Sequence, residues 1–451
     1  MITFRKILLL FFALVFIMSC TSCSDDKNIT TLDNGVNITG TGMMPEDSKV
    51  ILHFSTRQHP SATSAIIRKA RATSQFLYYS ETGDMLNHFS INREVLCNPI
   101  SQLNNSFSIC YADFSLNITK SSCSFLDDST GLDLPTMTIF GPQQTDYLPD
   151  KNLSYYLINF GTGPIPGQYT TILRFNGENS SYDVVIPYSI CCVSYDEEND
   201  RFIYRLRKEI DHYAFGFITF NESSGKYVIN EPCGDISRAE MTDRYGDKSG
   251  GGIFMIKGDM TYEIIPCQIN NQIQKDLNIT TIYPEDENWG VLVLQTINLI
   301  TGDLTVEYLT TQPFQGDVSY GFTLYGSQQM PCSFINGELY IFTRDNKMNI
   351  YSPEKGFRQY DISFDFTGAT NPRTPFDTES TGGLPLGNGS PLRIENDGSV
   401  YSAHIYNDGR IRIHKYNFDK QTFEIYWESN TSVLPYLDKE SLQFISFEIV
   451  D

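Results

Sequence analysis

The chain has 451 residues, with 33 Lys and Arg against 54 Asp and Glu and a formal charge of −21 at pH 7. A surface this acidic repels phosphate backbones and anionic bilayers, which argues against nucleic acid as a partner and against membrane attachment through a basic patch. Aromatic residues make up 13% of the chain, as 27 Tyr and 30 Phe but only 2 Trp, a usage that suits strands with half-buried faces.

The chain opens with a short basic segment, Arg5-Lys6, followed by the wholly apolar run Ile7 to Met18. As a helix that run spans roughly 18 Å, too short for a hydrocarbon core of about 30 Å but the right length for the apolar region of a secretory signal. Ile17-Met18-Ser19-Cys20 follows, with an aliphatic residue three before a cysteine and a small residue just before it. This resembles the lipobox of bacterial lipoproteins. The resemblance implies a signal peptide over 1–19, lipidation at Cys20 (with Cys23 as the alternative) and a membrane partner held through the acyl chains. Ser24-Asp25-Asp26 resembles the short acidic export signal of Bacteroidetes lipoproteins, which implies the outer membrane and display at the cell surface, with the periplasmic face as the alternative. From residue 20 to 49 the chain is polar and aperiodic and reads as a flexible tether.

Residues 50–451 read as one all-β body. Only Ala62 to Ala72 offers a short helical pattern, whereas strand-like runs bounded by Gly, Asn and Asp recur throughout. The clearest unit lies near the carboxy terminus. Leu392 to Glu395, Val400 to Tyr406, Arg410 to Tyr416 and Phe423 to Trp427 are joined through Asn396-Asp397-Gly398, Asn407-Asp408-Gly409 and Asp419 to Thr422. Asp-Gly supplies the positive φ angles that tight hairpins need. Second strands of such units begin at Phe107, Leu153, Phe202, Ile253, Val291, Leu339 and Val400, a period near 40–50 residues. Four-stranded units at that period resemble β-propellers, of no subfamily that the residues identify. Tandem β-sandwich domains are the alternative. The last run, Leu442 to Val450, needs a partner, and the amino-terminal runs Val50 to Ser55 and Gln75 to Tyr79 lack an innermost strand. Pairing the two ends closes a ring of eight blades, or seven if the amino-terminal strands only augment another blade.

Eight cysteines remain after Cys20 and Cys23, dispersed and without a CxxC pair, so no metal site is expected, and disulfides are permitted but not specified. No nucleophile elbow, zinc-protease helix or phosphate-binding glycine loop occurs, so no catalytic residue and no cofactor is assigned. His404 and His414 fall on adjacent strands of one hairpin and can approach each other. The acidic clusters Asp196-Glu197-Glu198 and Glu285-Asp286-Glu287 lie in turns, where acids are ordinarily solvated. Two long loops are the better candidates for a ligand: 236–252, carrying Arg238, Arg244 and Tyr245, and 367–390, carrying Arg373. The functional expectation is a non-catalytic binding module for a glycan or an envelope protein. The alternatives are a carbohydrate-active hydrolase or lyase on a propeller scaffold, and a structural component of an envelope complex.

Overall fold

The computed structural model describes residues 29–31, 37–56, 73–92, 100–104, 106–111, 115–128, 139–160, 170–186, 190, 193–209, 212–230, 233–237, 254–283, 289–315, 337–343, 347–363, 367–369, 392–395, 397–436 and 442–450. The signal region, Cys20, Cys23, the helical pattern at 62–72 and the loop residues Arg238, Arg244, Tyr245 and Arg373 lie outside the described residues.

The chain is all-β and forms a seven-bladed propeller of antiparallel sheets. Blade 1 joins Val50–Thr56, Ser74–Tyr79 and Met85–Ile91 to the carboxy-terminal strand Leu442–Ile449. Blade 2 runs Ile100–Leu103, Ser106–Cys110, Ser115–Ile118 and Cys123–Phe125; blade 3 runs Ile139–Leu148, Leu153–Phe160, Thr170–Asn176 and Ser180–Ile186. In blade 4, Val193–Asp196, Arg201–Glu209, His212–Asn221 and Lys226–Ile229 pair in turn, and Cys233–Ser237 continues along His212–Asn221. Blade 5 holds Phe254–Lys257, Met260–Gln268, Trp289–Asn298 and Leu304–Tyr308, with Phe314–Gln315 also on Trp289–Asn298. Blade 6 shows Leu339–Thr343, Lys347–Ser352 and Gly356–Asp361; blade 7 runs Leu392–Ile394, Val400–Ile405, Ile411–Asn417 and Thr422–Glu428.

The first strands of successive sheets touch one another. Ile100–Leu103 meets both Leu442–Ile449 and Ile139–Leu148, and Val193–Asp196 meets Phe254–Lys257, so these strands form the inner wall. Middle strands are covered by neighbouring blades on both faces, which is why Ser106–Cys110 and Ser115–Ile118 are buried along their whole length. Outer strands have a wet face, and Leu304–Tyr308 and Gly356–Asp361 are accordingly half-buried to exposed. Interblade cores fill the wedges: Tyr155, Phe175, Phe202 and Tyr227 interlock between blades 3 and 4.

Seven blades, rather than the eight that strand spacing favours, follow from one sheet read as two. Ile253 and Val291 mark separate units by spacing, yet Phe254–Lys257 and Trp289–Asn298 belong to the same sheet through Met260–Gln268. The misleading gap comes from a long connection that carries the helix Asn271–Asp276. That helix is capped by Asn270, whose side chain accepts from the Ile273 amide, and pinned by Ile273, which is fully buried.

The ring closes where Leu442–Ile449 pairs antiparallel with Val50–Thr56, placing Ile449 opposite Val50 and Phe447 opposite Leu52. A second contact lies outside it. The Asn430 amide donates to the Gly83 carbonyl at 2.7 Å, its side chain to the Thr82 carbonyl and Asp84 Oδ1, and Trp427 Nε1 to the Ser80 carbonyl. Gly83 has φ +86 with the Glu428 carbonyl where a Cβ would stand, so only glycine makes this turn. Strands also reach into the segment expected as tether: Ile29–Thr31 pairs with Asn37–Thr39, which docks on Met85–Ile91 at the outer edge of blade 1.

Candidate functional site

Chemistry needs groups that converge and that solvent can reach, and the described ionisable groups divide on the second condition. The acids of the first turn cluster separate: Asp196 is 1% exposed and is held by Asn199 and Arg201, while Glu197 and Glu198 face solvent. The cluster Glu285-Asp286-Glu287 lies outside the described residues. His404 and His414 do meet, with ring centroids 5.5 Å apart. Ser402 Oγ lies 2.9 Å from His404 Nε2, and Tyr406 Oη lies 3.3 Å from His414 Nε2. Burial holds both rings neutral, lowering the His414 pKa to about 4 and that of His404 well below the ordinary imidazole value, so the pair is a core contact between strands.

His53 and Ser446 face each other across the closing strands, Nδ1 to Oγ at 3.2 Å. A serine beside an imidazole is the start of a nucleophile and base. Here both are sealed, at 0% and 2% exposure, and His53 stacks on Phe76 at 4.7 Å. Burial lowers its pKa to about 3. No substrate reaches this pair.

The inner wall holds one convergent set at the closure. Arg393, on the first strand of blade 7, donates through Nε to Glu395 and through Nη1 to Glu448 Oε1 at 2.5 Å, and Glu448 is on the first strand of blade 1. Glu448 is fully buried, and its Oε2 meets no hydrogen-bond partner among the described residues. Burial, helped by the Glu395 charge and opposed by Arg393, pushes the Glu448 carboxyl up to about 8. Arg393 and Glu395 keep 19% and 28% exposure. One protonated acid and one solvent-reachable carboxyl group thus share a guanidinium. None of the three stands out as a site residue in the sequence. The available signal is Glu448 itself, a lone charge in the apolar run Leu442 to Val450.

The remaining buried ions act as struts. Arg174 and Asp183, at 1% and 0% exposure, pair through two hydrogen bonds of 2.8 and 2.9 Å, and Arg174 Nη1 also donates to the Tyr111 carbonyl of blade 2. Arg205 of blade 4 pairs with Glu263 of blade 5. Glu338 gathers Lys355, Arg358 and the Tyr340 hydroxyl. Among the described residues no three His, Cys, Asp or Glu side chains are grouped so as to hold a metal ion.

No family model matches the chain, and no curated protein sequence matches it. Among solved structures it is similar to a cobalt-substituted ACO of Synechocystis, at 9% identity and TM-score 0.44 over 92% of this chain and 94% of that one. A candidate 6-phosphogluconolactonase from Bacteroides uniformis gives 12% identity and TM-score 0.38 over 89% and 99%. The N-terminal domain of Nup159 gives 8% and 0.37 over 82% and 97%. All three TM-scores lie below 0.5, and the architecture stands on the strand pairing described above.

Proposed function

We propose that this chain is a lipid-anchored protein of the bacterial cell envelope, displayed at the outer membrane, whose propeller is a rigid, non-catalytic binding module for a glycan or an envelope protein. The observation that carries the reading is where the buried charges are spent. Arg174 with Asp183 and Arg205 with Glu263 each tie strands or blades together in dry surroundings, where an unpaired partner is strongly destabilising. A scaffold stiffened in this way suits a binding module, and Arg238, Arg244, Tyr245 and Arg373 are the residues offered for contact. Arginine grips carboxylates bidentately, and tyrosine adds a stacking face.

The anchor fits this role. The paired strands Ile29–Thr31 and Asn37–Thr39 seat on blade 1, so a lipid on Cys20 would hold the ring by that blade's outer edge. Nine residues of chain from Cys20 to Ile29 reach about 30 Å at most. The test is a retention screen of the purified protein against polysaccharides and envelope fractions, repeated after shortening the two long loops. Retention lost with the loops and an unchanged melting temperature support the reading; retention that survives both deletions removes the loop assignment.

A second reading, a carbohydrate-active enzyme, draws on the Glu395–Arg393–Glu448 set. Glycoside hydrolysis uses one protonated and one ionised carboxyl group, and Glu448 is raised as a general acid must be. Its complete burial favours the binding reading. Product analysis with Glu395→Gln and Glu448→Gln decides between them.

A further inference from the structure

We infer that residues 37–44 form a strap that fastens blade 1 to blade 2 and takes up a pull on the amino-terminal chain before that pull reaches the ring closure. The inference takes the source of the pull from the lipid-anchored reading, whereas the strap stands on its own contacts. Its outer part lies on blade 1. Asn37–Thr39 pairs with Met85–Ile91, the Asn37 amide donates to Asn92 Oδ1 at 2.6 Å, and Asn87 Nδ2 donates to Thr41 Oγ1 at 2.8 Å and to the Met43 carbonyl at 3.3 Å. The Tyr78 hydroxyl donates to the Gly42 carbonyl at 3.4 Å. The inner part crosses to blade 2. The Met44 amide donates to the Thr119 carbonyl at 3.1 Å, and a Cβ on Gly42 would stand 2.9 Å from the Cβ of Cys123. Ile38 and Met44, at 3% and 4% exposure, are buried in the core that also holds Ile51, Phe76 and Tyr78 of blade 1 and Phe107, Ile109 and Leu116 of blade 2.

The route of the load follows from chain order. The Lys49 amide donates to the Tyr79 carbonyl at 2.7 Å and the Val450 amide donates to the Lys49 carbonyl at 2.8 Å, so Lys49 sits at the end of the closing ladder. There Val50 begins its strand opposite Ile449, which ends the other. A pull delivered at Lys49 would load this ladder at its end, where antiparallel pairs part in succession rather than together. The strap lies earlier in the chain. A pull from the amino-terminal side must first strip Asn37, Ile38, Thr41, Gly42 and Met44 from two blades. Until then the load enters the body through the strand Met85–Ile91 and the blade 2 turn at Thr119. Gly40 sets how closely the strap lies, because its φ is +101 and a Cβ there would stand 2.8 Å from the His88 carbonyl.

Gly40→Val therefore loosens the strap without touching the closing strands. The test holds single molecules at constant load between a handle placed at Cys20 and one inserted beside Asn179, an exposed turn residue of blade 3. The handle replaces the lipid, so the result does not depend on acylation. Forced opening reads an unfolding rate. The lifetime of the closed ring is expected to fall about tenfold in Gly40→Val. Asn87→Ala/Asn92→Ala removes the side-chain bonds to the strap without straining its backbone, and should shorten the lifetime in the same direction. With handles beside Asn179 and Asp303, an exposed turn residue of blade 5, the load bypasses the strap. Each variant should there keep the parent's lifetime within about twofold. Equal lifetimes of parent and variants under the amino-terminal load overturn the inference. Equal shortening in both geometries also overturns it, because the strap would then be a general stabiliser that carries no load. The lipid-anchored reading fails separately, when Cys20→Ala and Cys23→Ala both keep their fatty-acid label.

Discussion

Phe447 is the residue at which closure of the ring is most directly perturbed. It lies opposite Leu52 on the carboxy-terminal strand, is 1% exposed, and packs with Phe54, Tyr401, Ile413 and Trp427 from both ends of the chain. Phe447→Ala removes a ring from a core whose neighbours belong to two different sheets and cannot collapse freely, so a cost of about 3–5 kcal/mol is expected. Phe125 is the control, because it is 39% exposed on the outer strand of blade 2, and its replacement by alanine should cost under about 1 kcal/mol. Unfolding entropy grows with chain length, so for a body of this size a loss of about 4 kcal/mol lowers the melting temperature by about 5 °C. Thermal melts and urea midpoints of the two variants, measured side by side, read the difference. A Phe447→Ala protein that melts within a degree of the parent, or moves no further than Phe125→Ala, would refute the argument that the last strand is part of one cooperative ring.

Arg174→Met leaves Asp183 buried without its counter-charge and should cost about 3–5 kcal/mol in urea titration, most of it recovered in Arg174→Met/Asp183→Leu; full stability of the single variant would deny the pair its strut role. The Glu448 carboxyl binds its proton in the folded state up to about pH 8 but in the unfolded chain only to the ordinary carboxylate range near 4.5. Its contribution to stability is therefore fully present below about pH 4.5 and is lost as pH rises to about 8. Urea midpoints from pH 5 to 9 should fall less steeply for Glu448→Gln than for the parent, and parallel curves would contradict the shift. Cys20→Ala should abolish fatty-acid labelling and release the protein from the membrane fraction, whereas loss of labelling only in Cys23→Ala would move the anchor by three residues.

What was legible in the sequence was the repeating hairpin. Asn407-Asp408-Gly409 announces a turn, Gly409 takes φ +78 there, and the strands on either side pair from Tyr401 with Lys415 to Ile405 with Ile411. The same register brings His404 and His414 together, which alternation along two adjacent strands makes readable. Blade number was less legible, because a connection carrying its own helix looks like the gap between blades when only spacing is counted. The short strands Ile29–Thr31 and Asn37–Thr39 gave no period at all: Asn37–Thr39 buries only Ile38, at 3% exposure. The Arg393–Glu448 contact was hidden by distance, since the two residues lie 55 apart and meet only because the last strand belongs to the first blade.

The central claim is that the ring binds its ligand and leaves it intact. The most direct measurement incubates the purified protein with each polysaccharide it retains and analyses the products by mass spectrometry over a long time course, with Glu395→Gln and Glu448→Gln alongside. The account predicts that each retained glycan comes back at its original length from all three proteins. Reproducible cleavage by the parent that disappears in the Glu395→Gln and Glu448→Gln proteins would contradict it, and would make the acid pair at the ring closure an active site.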